Sequence, residues 1–500
     1  MEEYILSIDQ GTTSSRAIIF NHNSEIIAQV NKEFTQYYPY SGWVEHDANE
    51  IWLSVLSVIS EVFIKSQLRP EQIRSIGITN QRETTVVWDK KSGLPIYHAI
   101  CWQSRQTSDI CDELRAKGYE KMIKDKTGLV LDAYFSASKI KWILDNVPMA
   151  REKANNDELL CGTIDTWLMY KLSGGTIFKT DYSNASRTML YNIYDKQWDD
   201  ELLELFEVPR SMVAEVCDSS GVFGQCAPYH FFNYPVTISG VAGDQQAALF
   251  GQNCLKLGEA KNTYGTGCFL LMNTKDKPIK SEKGLITTLA WGINGQVDYA
   301  LEGSIFIGGS AISWLKDGIK IINKPQESEE KALKVEDNQQ IYVVPAFVGL
   351  GAPYWNDKAT GAIYGLTRAT SDNHLCKATL EAIAYQTKDI LDVMALESNI
   401  DLTRLKVDGK AASNDYLMQF QSDILQSEVV RVSQLETTAL GACYLAGLSV
   451  NYFKDMDDIC NSFKVDRVFK PQMSKEEAQR LYDGWKNAVE TTCFYCQKKV

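Results

Sequence analysis

Short apolar runs alternate with longer segments of helically spaced apolar positions from one end of the chain to the other. Tyr4-Ile5-Leu6-Ser7-Ile8 and Ala17-Ile18-Ile19-Phe20 read as two short buried strands. The polar stretch Asp9-Gln10-Gly11-Thr12-Thr13-Ser14-Ser15-Arg16 between them reads as a hairpin turn. Ser75-Ile76-Gly77-Ile78-Thr79, Val236-Thr237-Ile238-Ser239-Gly240-Val241 and Ile341-Tyr342-Val343-Val344 look like interior strands. The first two of these run into charged turns, Asn80-Gln81-Arg82-Glu83 and Gly243-Asp244-Gln245-Gln246. Asp47 with Glu50 predicts a capping box ahead of an apolar stripe that runs to Phe63. Leu380, Ile383, Ala384, Ile390, Leu391 and Met394 recur at helical spacing, and Ser474 with Glu477 opens a terminal helix. Strands and helices alternating in this way predict an α/β protein.

Length and composition narrow this picture. A chain of 500 residues predicts two or three domains. The boundary is placed near residue 253, giving 1–253 and 254–500. A strand-turn pattern begins again at Lys261-Asn262-Thr263-Tyr264-Gly265-Thr266-Gly267, which hints at a duplicated architecture. With 44% hydrophobic and 23% charged residues, a disordered chain or a small disulfide scaffold is excluded. A net charge of -13 argues against nucleic acid or an anionic membrane as partner, since both favour a basic surface. There is neither a basic-then-apolar leader nor an apolar run approaching ~18 residues, so a cytoplasmic protein without an integral membrane segment is expected. The 12 cysteines are scattered, as in a reduced compartment. Cys493-Phe494-Tyr495-Cys496 lacks a second ligand pair and reads as two thiols on the terminal helix.

Three glycine-bearing turns are candidates for chemistry. In the first, Thr12, Thr13 and Ser14 supply hydroxyl and amide donors, Arg16 a positive charge, and Asp9 a carboxylate able to hold hydrated Mg²⁺. The second is Gly265-Thr266-Gly267. Neither matches a nucleotide P-loop or the dinucleotide fingerprint. A Gly/Thr-rich turn is more often only a turn, but two of them, one with Asp and Arg, shift the balance towards phosphate. The third, Asp408-Gly409-Lys410-Ala411-Ala412-Ser413-Asn414, precedes a helix start. It reads either as an anion site or as a plain connection capped by Ser413.

At these residues the chain resembles the FGGY carbohydrate kinases, in particular the branch acting on glycerol. The carrying segments are 9–16, Gly42-Trp43-Val44-Glu45-His46, 77–84, 242–251, 262–267 and Gly349-Leu350-Gly351-Ala352-Pro353-Tyr354-Trp355. The resemblance implies two ribonuclease-H-like domains of the actin/hexokinase type with the active site in the cleft between them. It implies ATP-dependent phosphorylation of glycerol to sn-glycerol 3-phosphate, and a homo-oligomer. It assigns Arg82, Glu83, Tyr134, Asp244 and Gln245 to the polyol, with Trp102 and Phe269 as apolar walls and Asp244 as general base. It assigns Asp9 to Mg²⁺, and Thr12, Thr13, Ser14 and Arg16 to the phosphates. Thr266, Gly309, Ser313, Gly409, Lys410 and Asn414 fall to the rest of the nucleotide. Read alone, Arg82 with Glu83 is better read as a surface ion pair and Trp102 as plain core.

Two positions depart from the family pattern. Lys410 stands where the usual motif is Asp-Gly-Gly-Ala, and Ser313 where relatives carry Gln. ATP affinity is thus the property expected to suffer, and Lys410→Gly is expected to lower the Michaelis constant for ATP. His230, in Ala227-Pro228-Tyr229-His230-Phe231-Phe232, falls in a segment that resembles the loop of low-GC Gram-positive relatives. There the phosphocarrier protein HPr phosphorylates a histidine and raises activity. The basic, Gly-rich loop that binds fructose 1,6-bisphosphate in the other bacterial type is not visible. A kinase for another polyol or sugar, or a non-catalytic nucleotide-binding sensor, are the rival readings.

Overall fold

A computed structural model of the chain describes residues 2–356, 358–433 and 436–497. Its spine is a 13-stranded mixed sheet in which one pattern occurs twice. In the first half, β1 (Tyr4–Gln10), β2 (Ser14–Phe20) and β3 (Ile26–Glu33) form an antiparallel meander. β4 (Ile73–Asn80) runs parallel to β1, and β5 (Thr237–Gly243) parallel to β4, so the order is 3-2-1-4-5. In the second half, β6 (Glu259–Tyr264), β7 (Cys268–Lys275) and β8 (Gln296–Ile305) repeat the meander, and β9 (Arg404–Asp408) and β10 (Val429–Val432) repeat the parallel pair. This is the ribonuclease-H-like order in both halves, as the sequence leads one to expect. The strand Ile286–Ile293 hairpins onto β8 and touches the strand Ser220–Gln225 at the single pair Ser220–Ile293, which joins the two halves.

Helices cover both faces. α1 (Ala48–Ser66) packs its apolar stripe, including Ile51, Val55 and Ile59, onto the first half. Asp47 caps it by accepting from the Asn49 amide at 2.8 Å. The reciprocal half of the expected capping box is missing, because Glu50 instead accepts from the Thr35 amide and hydroxyl at 2.9 Å. α2 (Asp244–Gly251) follows β5, while α3 (Gly309–Ser313), α4 (Asp372–Ser398), α5 (Asp415–Leu425), α6 (Thr437–Ser449) and α7 (Lys475–Gln497) belong to the second half. The Ser474 hydroxyl caps α7 by accepting from the Glu477 amide at 3.2 Å.

α6 follows β10 yet lies on the first half. Ser220 and Ser239 donate to its Leu445 and Ala446 carbonyls at 2.7 and 2.9 Å. Together with α2 it forms a core between the halves that includes Ala242, Ala247, Leu271, Leu440 and Cys443. A further lobe between β4 and β5 has its own small sheet and its own core around Phe135, Ile143 and Leu159. No helix among the described residues is long and apolar enough to cross a membrane.

Candidate active site

The functional candidates collect where parallel strands end. In the first half, β1 leads to the Gly11–Ser14 turn, β4 to Gln81-Arg82-Glu83, and β5 directly to Asp244 at the start of α2. In the second half, β6 leads to Gly265 and β9 to Gly409. Turns at these strand ends are held rigidly by the sheet and bring residues distant in sequence together.

Register dictates the phosphate turn. Asp9 and Arg16 are direct cross-strand partners in the β1–β2 hairpin, so their side chains share a face. The Arg16 guanidinium pairs with Asp9 through one nitrogen and with Glu436, just ahead of α6, through another. Asp9 is buried, which raises its carboxyl pKa, and Arg16 counters that rise. Arg16 takes Oδ2 of Asp9, leaving Oδ1 outside that pair. Among the described residues no three His, Cys, Asp or Glu side chains form a metal cage. A single carboxylate with a remaining oxygen suits a hydrated Mg²⁺ shared with phosphate groups, since that ion keeps most of its water.

The residues expected on the polyol side come together around Arg82. Arg82 lies buried with Nε 3.4 Å from Asp244 Oδ1 and 3.8 Å from Glu83 Oε1, and one Nη is 3.5 Å from the Tyr134 hydroxyl. Gly243 makes room for it: a Cβ there would meet Arg82 Cγ at 2.7 Å. Glu83 is buried at φ +61°, a left-handed conformation that a non-glycine residue adopts only when its surroundings enforce it. The Trp102 and Tyr134 rings meet edge to face at 5.5 Å. The Trp102 indole N–H donates to the Thr12 hydroxyl at 2.9 Å, so the apolar wall is tied to the phosphate turn. Asp244 is partly exposed to the cleft. Burial raises its pKa, and Arg82 and Lys261 pull it back down.

Three partners escaped the sequence reading. Glu302 on β8 accepts from Arg82 at 2.6 and 2.9 Å and from Arg187 at 3.2 Å twice. Arg187 in turn donates to Glu83 at 2.6 Å and lies over the Tyr134 and Phe135 rings. Lys261 on β6 donates to the side-chain oxygen of Gln245 and to the Thr263 hydroxyl. A charged residue inside a strand pattern was the available signal for Lys261 and Glu302, since a charge on a buried strand requires a partner. The pairing of β6, β7 and β8 sets Lys261, Thr263, Phe269 and Glu302 on one face of the second half.

On the nucleotide side the 265–267 turn, the start of α3 and the 409–411 turn converge. A Cβ on Gly309 would lie 2.6 Å from the Gly265 carbonyl and 3.8 Å from Ala411 Cβ. Thr266 and Ser313 are exposed beside this notch. The residue needing glycine's freedom is Gly409, at φ +88°. Lys410 starts a short 3-10 turn, is exposed, and has no ion-pair partner among the described residues. The helix cap is Asn414, whose side chain accepts from the Leu417 amide at 2.8 Å. Ser413 instead turns back to the Lys410 carbonyl. His230 lies apart from the cleft, on a 3-10 turn against Trp52 at 5.0 Å.

Residues 4–251 match the N-terminal domain, and residues 260–450 the C-terminal domain, of the FGGY family of carbohydrate kinases. A curated glycerol kinase of Bacillus cytotoxicus is 59% identical over 492 residues, 98% of this chain and 99% of its own. The crystal structure of Plasmodium falciparum glycerol kinase with ADP superposes with a TM-score of 0.94 at 37% identity, covering 98% of each chain. A gluconate kinase from Lactobacillus acidophilus shares the fold, at TM-score 0.89 and 19% identity over 99% of each chain.

Proposed function

The chain belongs to the FGGY family of carbohydrate kinases, and we propose that it transfers the γ-phosphoryl group of ATP to glycerol, giving sn-glycerol 3-phosphate and ADP. The observation that carries this is the convergence of Glu83, Tyr134 and Asp244 on the buried Arg82, where β4 and β5 end. A triol needs donors and acceptors converging on several hydroxyls, and these side chains provide both.

The roles follow from the chemistry. A terminal hydroxyl oxygen of glycerol forms the new bond to the γ-phosphorus. The bond from that phosphorus to the bridging oxygen breaks, and ADP leaves with its electron pair. Asp244 accepts the hydroxyl proton, late in a loose transition state that asks mainly for positioning. Arg82 and Glu83 orient the acceptor, Gln245 adds a further polar contact, and Trp102 and Phe269 keep water from competing for the phosphoryl group. Thr12, Thr13, Ser14 and Arg16 receive the phosphates. Thr266, Gly309, Ser313, Gly409, Lys410 and Asn414 form the remainder of the nucleotide side. Asp9 would hold Mg²⁺ through water, and the ion, when bound, supplies charge neutralisation on the phosphates.

In this reading, residues 1–253 handle the acceptor and the phosphates, and 254–500 the nucleotide, in a cytoplasmic homo-oligomer. A coupled ADP-release assay over a panel of polyols and sugars tests it. Turnover on glycerol that disappears in Asp244→Asn is expected. Faster turnover on another polyol would transfer the assignment to that substrate, and no turnover at all would favour a nucleotide sensor.

The proposal extends to regulation at His230. Its ring borders a recess of about 250 Å³ that Lys91 and Lys171 also line, a suitable setting for a phosphoryl group. Burial and the Lys171 charge lower its pKa, so the imidazole is neutral and nucleophilic near pH 7. HPr is the expected phosphoryl donor. Incubation with phosphorylated HPr should raise activity in the parent and leave His230→Ala unchanged.

A further inference from the structure

We infer that Lys261 is a positioning residue for the acceptor, holding the Gln245 amide so that its NH₂ group is directed at a polyol hydroxyl. The inference rests on the function proposed above.

Lys261 is completely buried on β6, in the half of the chain that does not carry Gln245. Its ammonium donates to Gln245 Oε1, at the start of α2, and to the Thr263 hydroxyl at 3.0 Å. An ammonium has donors only, so of the two ends of the amide it can meet only the oxygen. The Gln245 nitrogen is thereby turned away from Lys261. Gln245 is half-buried next to Asp244, which is open to the cleft. Its amide is therefore offered to the acceptor as a donor, which complements Asp244 as the acceptor of the hydroxyl proton.

The charge environment keeps the donor in its charged form. The Lys261 pKa is lowered to about 8, chiefly by burial and further by Arg82, with the carboxylates of Asp408, Asp244 and Glu302 opposing the fall. At neutral pH the amine is protonated. Asp408 faces the same side from β9, where it pairs with Thr263, and the Thr437 hydroxyl of α6 donates to it. The residue thus sits between α2, which carries the acceptor residues, and the two strands that end in the nucleotide turns. Nothing in the local sequence of Gln245 would set its amide, and the ion that sets it comes from the other half.

The test is a double-mutant cycle of Lys261→Met and Gln245→Ala, read as Michaelis constants for glycerol and for ATP. Lys261→Met should raise the glycerol constant about tenfold, the scale of one charge-assisted hydrogen bond. The ATP constant should stay unchanged. In the Gln245→Ala background Lys261→Met should add nothing further to the glycerol constant. Should Lys261→Met fold poorly, Thr263→Val keeps the ammonium and removes only the second acceptor that fixes its position, and should show the same pattern at roughly threefold. Equal losses in both backgrounds, or an ATP constant rising in step with that for glycerol, would overturn the inference alone. Wild-type protein that fails to phosphorylate glycerol would overturn the proposed function and this inference with it.

Discussion

Arg82 and Glu302, 220 positions apart and in opposite halves of the chain, form a two-point ion pair at 2.6 and 2.9 Å with both side chains buried. Glu302 also serves Arg187, which holds Glu83. Arg82 and Glu83, two of the residues proposed for the polyol, are therefore braced by one carboxylate from the second half. Removing that carboxylate leaves two guanidinium groups buried without full compensation. Glu302→Gln is expected to cost about 3–5 kcal/mol of stability, measured by denaturant unfolding, and to raise the glycerol Michaelis constant.

The same pair has a pH signature. Burial opposes ionisation of Glu302, but Arg187 and Arg82 outweigh it and hold the carboxyl at about 2, below its ordinary 4.5. A carboxyl with a depressed folded-state pKa contributes stability that is present above 4.5 and lost as pH falls towards 2. Unfolding free energy measured from pH 5 down to pH 2 should fall through this window, and Glu302→Gln should flatten that part of the slope.

Asp244 predicts an acid limb in the activity profile. Burial raises its pKa above 3.8, so the base is lost by protonation at a higher pH than an exposed aspartate would be. Asp244→Asn is expected to lower kcat ~10²- to 10⁴-fold, the usual scale for a general base. Its circular dichroism and melting temperature should stay near those of the parent. A variant with more than a tenth of parental kcat would remove Asp244 from that role.

The Trp102–Thr12 contact links wall to phosphate turn. Trp102→Phe keeps an aromatic face but deletes the N–H that donates to Thr12, along with part of the ring's bulk. A loss of about three- to tenfold in kcat/KM for ATP is expected, with a smaller change for glycerol. Steady-state kinetics with each substrate varied in turn measures both.

At Lys410 the structure removes the backbone ground for the expectation drawn from the motif. The left-handed backbone is at Gly409, which is kept, so a side chain at 410 costs no backbone freedom. An exposed lysine at the nucleotide notch adds positive charge. Lys410→Ala should raise the Michaelis constant for ATP about two- to threefold at low ionic strength, and the difference should shrink in 0.5 M salt. An equal or lower constant in the variant would restore the original expectation.

Much of this protein was legible from local pattern. Apolar runs of strand length, the turns after β1, β4, β5, β6 and β9, and the motif segments at 9–16, 77–84 and 242–251 specify an α/β fold and the strand-end turns. These are readable because strand period, turn chemistry and close backbone approach are set by neighbours in sequence. Local pattern also misled in particular places. Asp47 and Glu50 have capping-box spacing, yet Glu50 found Thr35 in the loop after β3. Ser413 precedes a helix, yet Asn414 caps it.

What only the tertiary structure decided is which distant charges meet. Arg187 carries no local mark of a site, and a charge inside a strand pattern marks Lys261 and Glu302 only as needing a partner; the partner each finds is more than ten residues away or in the other half. Buried charges must find opposite charges or hydrogen bonds, and which ones they find depends on sheet register and on how two halves close over a cleft. Composition made the chain globular and acidic, and motifs marked the turns. The buried ion network that holds those turns in working order is a property of the folded pair of halves.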